Sequence, residues 1–212
     1  FWLCALRSAI MLALALVMIT PLVLMLLTSL KTPEEISVLT FRFFPKVPQF
    51  RNYLTVLTGS NWPLYIRNSI VVTALTTAVS LLFNLLAGFA FARLRFPLRK
   101  PLFYSVLVGL MVPIQVHLIP VFIILRSIPL LGGNNLLGQG GTGAINTLLG
   151  IMLPGMAGAF GSFLSRQYFL GFPRALDEAA RIDGAGSWRI FFPIYVPLSK
   201  PLIASLGVIK VT

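Results

Sequence analysis

Residues 8–30, "SAIMLALALVMITPLVLMLLTSL", carry no charge and are bracketed by Arg7 and Lys31. A run of about 20 apolar residues is long enough to cross a hydrocarbon core as a helix, and each Lys, Arg or Asp at its centre would cost about 2.5–3.5 kcal/mol. The same feature recurs at 68–92 and 101–125, and again inside the uncharged stretch 127–165. In that stretch "GGNNLLGQGGTG" (132–143) is too rich in Gly and Asn for a helix and reads as an exposed loop, which leaves 145–165 as the span. A fifth run starts at Pro201 and continues to Thr212. The expected fold is all-α: a polytopic transmembrane helical bundle forming one transmembrane domain over 1–212. Its spans are expected at about 8–30, 68–92, 101–125, 145–165 and 201–212, the last incomplete, with a long loop at 166–200. The first run is expected to be a retained anchor. A signal peptide would have a shorter apolar core ending at a small-residue cleavage site, whereas this run continues through Pro21.

The charge balance fits that frame. Seventeen Lys and Arg against five acids give a net +12, which in a soluble protein would suggest nucleic acid. Here only 10% of residues are charged and the cations flank the apolar runs, so lipid headgroups are the expected contacts, with no nucleic acid. "RLRFPLRK" (93–100) holds four cations and no acid and so is expected on the cytoplasmic side. Alternation then places 166–200 inside and 31–67 and 126–144 outside. The bias is modest, because Lys31, Arg42, Lys46, Arg51 and Arg67 fall in the long outer loop. Tyr53, Trp62 and Tyr65 in that loop suit interfacial anchoring. Cys4 is the only cysteine, which excludes an internal disulfide or a cysteine metal cluster.

Glu34, Glu35, Asp177, Glu178 and Asp183 all fall in expected loops, which argues against an ion-coupled carrier with intramembrane carboxylates. His117 and Lys210 are the ionisable groups at membrane depth, and the stem of Lys210 could reach the headgroups. His117, near Gln115, is either satisfied by a neighbouring helix or lines a cavity; Asn84 joins them as a candidate on a substrate path. Pro113 and Pro120 interrupt the third run, and Gly150, Pro154, Gly155, Gly158 and Gly161 crowd the fourth, as close helix packing or a role in the path would require. No nucleophile elbow or metal-spaced cluster is present, so no enzyme is expected. "GQGGTGAI" (138–145) lacks the Lys-Ser/Thr of a phosphate loop.

Three of the five acids lie within "DEAARIDGAG" (177–186). Pro173 suits a helix start, and Asp177 and Glu178 early in the helix favour its dipole. Arg174–Glu178 and Asp177–Arg181 have the i, i+4 spacing of ion pairs worth about 0.2–0.5 kcal/mol each. Leu176, Ala179, Ala180 and Asp183 fall on one nearly smooth face, Gly184 can end the helix in the left-handed conformation, and Ser187 can cap a second short helix. A helix lying among headgroups would prefer cations opposite bulky apolar residues. The mixed charges and alanines here favour docking to a protein instead.

"EAARIDGAGSWRIFFPIYVPLSKP" (178–201) closely resembles the EAA loop of permease subunits of binding-protein-dependent ABC importers. "IDGA" (182–185) and "PLSKP" (197–201) are similar to the carbohydrate-uptake branch. "SLKTPEEI" (29–36) and "NSIVVTALTTAVSLLFNLLAGFAFARLRFP" (68–97) look like its second, maltose-type permease. The resemblance implies a subunit of the bacterial cytoplasmic (inner) membrane that imports a sugar or polyol, or, by the same machinery, another solute such as glycerol phosphate or an amino acid. It implies a homologous permease, an ABC ATPase dimer and an extracytoplasmic solute-binding protein as partners. No cofactor is expected on this chain, since ATP would be used by the ATPase. Glu178, Ala179, Ala180 and Gly184 would carry docking to that ATPase, with Asp183 close by. Phe192 before Pro193 departs mildly from the family pattern, and the family's sixth span is expected beyond Thr212. A membrane scaffold that recruits a cytoplasmic protein through 166–200 is the rival reading.

Overall fold

A computed structural model describes residues 2–37 and 42–211. The described residues form helices and loops, with no strand among them. They fall into two compact units, 1–66 and 67–212.

The first unit is dominated by α1 (Trp2–Ser29). Over residues 5–23 its side chains are exposed all round (Val17 70% and Met18 77%), as a helix solvated by lipid requires. Pro21 lies inside the helix without ending it. Beyond α1 the chain is tied back on itself. Asn52 on α3 (Arg51–Gly59) donates to the Ser29 and Lys31 carbonyls at 3.0 Å each, and the Ser29 and Tyr53 hydroxyls lie 2.6 Å apart. A capping box opens the short α2 (Pro33–Ser37): the Glu35 N–H donates to Thr32 Oγ1 at 3.3 Å, and the Thr32 N–H donates back to the Glu35 carboxylate at 3.4 Å. Glu35 Oε1 also accepts from the Lys46 N–H. Glu34, fully exposed, is held below the usual carboxylate pKa by backbone and Thr32 hydrogen bonds.

The second unit is built on α4 (Trp62–Arg93), whose first turn belongs to the first unit. Trp62 and Tyr65 sit edge to face in that turn. The helix begins earlier than the expected 68–92, because nothing in "WPLYIR" breaks it and Pro63 is tolerated in a first turn. The third run is not a straight rod. α5 (Arg99–Met111) and α6 (Ile114–Arg126) meet at a bend of 114°. Pro113 offers no N–H and pushes the preceding residue out of the helical region, and Val112 has φ −84°, ψ 122°.

The expected exposed loop 132–143 is tightly organised. Asn134, 7% exposed, donates to the Arg126 and Ile128 carbonyls and accepts from the Gly141 N–H. Gly132 and Gly143 carry left-handed φ where a Cβ would meet backbone atoms. The fourth span consists of α7 (Leu148–Met152), a 3₁₀ turn (Leu153–Gly155) and α8 (Ala159–Leu170), bent by 41°. It starts and ends later than the expected 145–165, and Gly171 follows its last residue.

Gly88 of α4 and Gly161 of α8 let these two helices approach closely. A Cβ at Gly88 would meet Ser165 Cβ and the Arg166 nitrogen, and one at Gly161 would meet Asn84. Asn84 is 1% exposed; its amide donates to Ser80 at 3.1 Å, and its carbonyl accepts from Ser162 at 3.1 Å. It therefore clasps α4 and α8 within this chain. The Lys210 ammonium donates to the Gly155 carbonyl at 3.2 Å, at the break in the fourth span. It lies on α12 (Lys200–Val211), which covers the expected last span up to Val211; Thr212 lies outside the described residues.

Candidate functional site

The acid-rich segment folds as α9 (Ala175–Ile182), opened by Pro173 and Arg174 carbonyls that accept from Leu176, Asp177 and Glu178. Its end is set by backbone geometry. Gly184 has φ +76°, the Gly184 N–H reaches the Arg181 carbonyl at 3.0 Å, and the Ala185 N–H reaches Ala180 at 2.9 Å. Nothing lies within 4 Å of a Cβ built at Gly184, so glycine is needed there for its φ and not for space. α10 (Ser187–Ile190) follows, with Gly186 at its cap and Ser187 as its first residue. The expected side-chain cap from Ser187 is not made.

The sequence alone does not reveal what lies beneath α9. The carboxylate of Asp177 pairs with the Arg93 guanidinium at 3.2 Å, and Tyr195 donates its hydroxyl to the other carboxylate oxygen at 2.7 Å. Arg93 also donates to the carbonyls of Phe169, at 2.7 Å, and Phe172, and its guanidinium lies 5.6 Å from the Tyr195 ring centroid. Arg93 and Asp177 are 7% and 16% exposed. Burial, helped by the Asp177 hydrogen bond, pushes the Tyr195 phenol well above its ordinary pKa, so it remains a donor. One buried cluster thus ties the end of α4, the end of α8, the base of α9 and the segment around Tyr195 together. Neither Arg174–Glu178 nor Asp177–Arg181 is an ion pair here; Asp177 is engaged across the fold with Arg93.

An aromatic layer surrounds this cluster. Phe89 lies 4.9 Å from Tyr195 and 5.2 Å from Phe191 between ring centroids, and Tyr195 lies 5.3 Å from Phe169 and 5.2 Å from Phe172. Such pairs contribute about 0.5–1.5 kcal/mol each beyond their burial. Phe191–Tyr195 is a π-helical turn, as Pro193, without an N–H, prevents the regular ladder from continuing. Val196–Leu198 forms α11, and a 75° bend at Ser199 leads into α12.

This packing divides the face that spacing had grouped together. Ala180 is only 9% exposed and packs into the core with Tyr195 and Ile190, while Glu178, Ala179, Asp183 and Gly184 remain exposed. Ile182, 86% exposed, stands among them and was not singled out from sequence. Beside α9 a groove of about 1110 Å³ runs to the 93–101 segment, with Arg95, Arg99, Lys100, Arg174 and Arg181 along its walls. Gln115 and His117 are exposed on α6. The structure does not bring them together with Asn84.

The described residues form an apolar helical bundle that exposes one short, charged helix over a buried polar and aromatic base. Residues 84–212 match the family described as "Binding-protein-dependent transport system inner membrane component", and the chain belongs to that family of bacterial inner-membrane transport proteins. It is 29% identical over 204 residues, 96% of this chain, to the diacetylchitobiose uptake system permease protein NgcG of Streptomyces coelicolor. It is 36% identical over 146 residues, 69% of this chain, to the sn-glycerol-3-phosphate transport system permease protein UgpE of Yersinia pestis. The chain spans 63% and 47% of the lengths of those two proteins. The fold matches that of a chain in the crystal structure of a bacterial ABC transporter involved in the import of the acidic polysaccharide alginate. The TM-score is 0.81 at 23% identity, over 99% of this chain and 69% of the other.

Proposed function

We propose that this chain, as one transmembrane domain, is the permease subunit of an ATP-driven importer that moves a sugar or related polyol inward by alternating access. A homologous permease, an ABC ATPase dimer and an extracytoplasmic solute-binding protein complete the machine. ATP is bound by the ATPase, and this chain holds no cofactor and catalyses no reaction. The observation that carries the reading is the exposed edge of α9, made by Glu178, Ala179, Ile182, Asp183 and Gly184, over the Arg93–Asp177–Tyr195 cluster. In this reading the exposed edge meets the ATPase, Ala180 keeps α9 seated, and the cluster passes the displacement of α9 to α4 and α8. Gln115 and His117 are proposed to face the solute path. Asn84 is assigned to helix packing.

The test is uptake by the reconstituted complex together with crosslinking from α9 to the ATPase. Gly184→Pro cannot adopt φ +76° and is expected to abolish both while leaving membrane insertion intact. Gly184→Ala, strained by about 1–2 kcal/mol, is expected to weaken both in part. Normal uptake by Gly184→Pro would overturn the reading. The kinship with a glycerol-phosphate permease supports a second solute class, and the ligand that stimulates the ATPase of the assembled complex separates the two. A scaffold would give no flux with every partner present.

A further inference from the structure

At the cytoplasmic ends of α4, α5 and α8 lies a second cavity, about 250 Å³, lined by Phe91, Arg99, Lys100, Phe103, Tyr104 and Arg166. Three cations share this small space, and no carboxylate lines it. The half-buried Arg166 lies with its guanidinium 4.0 Å from the Phe103 ring centroid and donates through Nε to the Phe91 carbonyl at 3.4 Å. Arg99, also half-buried, donates through one terminal nitrogen to the Leu94 carbonyl at 2.9 Å. Each guanidinium has five N–H groups, so most of their donors have no protein acceptor among the described residues. Lys100 and Tyr104 are exposed at the mouth, and Phe103, 7% exposed, forms the wall. Like charges drawn together over an aromatic wall repel each other unless an anion joins them.

We propose that this cavity binds the phosphate headgroup of an anionic phospholipid of the inner leaflet. The site lies where helices leave the bilayer on the side that carries "RLRFPLRK", the depth of lipid phosphates, and basic pockets between membrane helices recognise such headgroups. Arg166 and Arg99 supply fixed donors to the phosphate oxygens, Lys100 closes the mouth as a mobile charge, and the hydroxyl of Tyr104 stands beside it. The acyl chains would follow the exposed apolar side of α5, where Leu102 and Val108 face outward. Asp177 and Glu178 line the larger groove, which Arg99 and Lys100 also border, and Asp177 is already paired with Arg93.

The test uses the assembled importer in nanodiscs of phosphatidylcholine with a minor fraction of phosphatidylglycerol, read by native mass spectrometry of retained lipid. Phosphatidylglycerol is expected to be retained over phosphatidylcholine. Arg166→Gln and Lys100→Gln are each expected to lower its retention about fivefold, the effect of removing one cation at a membrane surface. Lys100 is exposed, so its variant folds even if Arg166→Gln does not. Arg95→Gln, which removes a cytoplasmic charge outside this cavity, is the control. Equal retention of the two lipids, or equal loss in Arg95→Gln and Lys100→Gln, would overturn the site in favour of diffuse surface charge. Displacement of the lipid by millimolar inorganic phosphate would reassign it to a free anion.

Discussion

At the residue scale, the behaviour of Asp177 depends on a partner far away in sequence. Its spacing from Arg181 has the form of a helical ion pair, and only the fold brings Arg93 to 3.2 Å. The signals for this were faint: a cation closing an otherwise uncharged run, and a lone tyrosine in "FFPIYVP". Arg93→Met would strand a mostly buried carboxylate, at a cost of about 3 kcal/mol. Asp177→Asn takes the counter-charge from Arg93, which keeps the Phe169 and Phe172 carbonyls, and leaves Tyr195 an acceptor, so it is expected to cost about 2 kcal/mol. Trypsin reports the difference directly, because Arg174 and Arg181 flank and lie within α9. Arg93→Met is expected to speed cleavage at these arginines strongly in reconstituted protein, and Asp177→Asn only modestly. Wild-type cleavage rates in both variants would mean that the cluster does not hold α9.

At the element scale, each uncharged run coincides with a long apolar helix or a bent pair of helices, because the cost of burying charge in hydrocarbon acts on every residue of a span. The bends were only partly visible. Pro113 marked one, but the break between Gly155 and Ala159 and the turn at Ser199 depend on which neighbour supplies hydrogen bonds to the interrupted backbone. Asn84 illustrates the same limit: a polar residue in a span looks identical in sequence whether it faces a cavity or another helix. Gly88 and Gly161 decide which it is, since they bring α8 against that side of α4. Gly88→Ala would drive a methyl into Ser165 and the backbone at Arg166, and overpacking of this kind costs about 1–3 kcal/mol. The expected result is a lower melting temperature in detergent for Gly88→Ala and no change for Gly59→Ala, where a Cβ meets nothing within 4 Å.

At the scale of the whole molecule, the proposed orientation puts 93–100 and 166–200 inside and 126–144 outside. With Cys4 replaced by serine, single cysteines at Leu98 and Ile182 are expected to react with a membrane-impermeant maleimide only in inverted vesicles. One at Leu136 is expected to react only in intact spheroplasts. These three side chains are 69%, 86% and 77% exposed, so access and not burial determines the outcome. Labelling of the Ile182→Cys variant from outside would invert the topology and remove α9 from the reach of any nucleotide-driven partner. The helical bundle and the existence of α9 could be read from residues near in sequence. The seat beneath α9 could not, because it joins Arg93, Phe169, Asp177 and Tyr195 across four separate elements.

The contact from Lys210 to Gly155 bears on how the chain is made. During synthesis the fourth crossing leaves the ribosome well before residue 210 does, and the interrupted turn at Gly155 must wait in the translocon or in lipid without its ammonium. Final settling of that crossing therefore awaits the arrival of the next one.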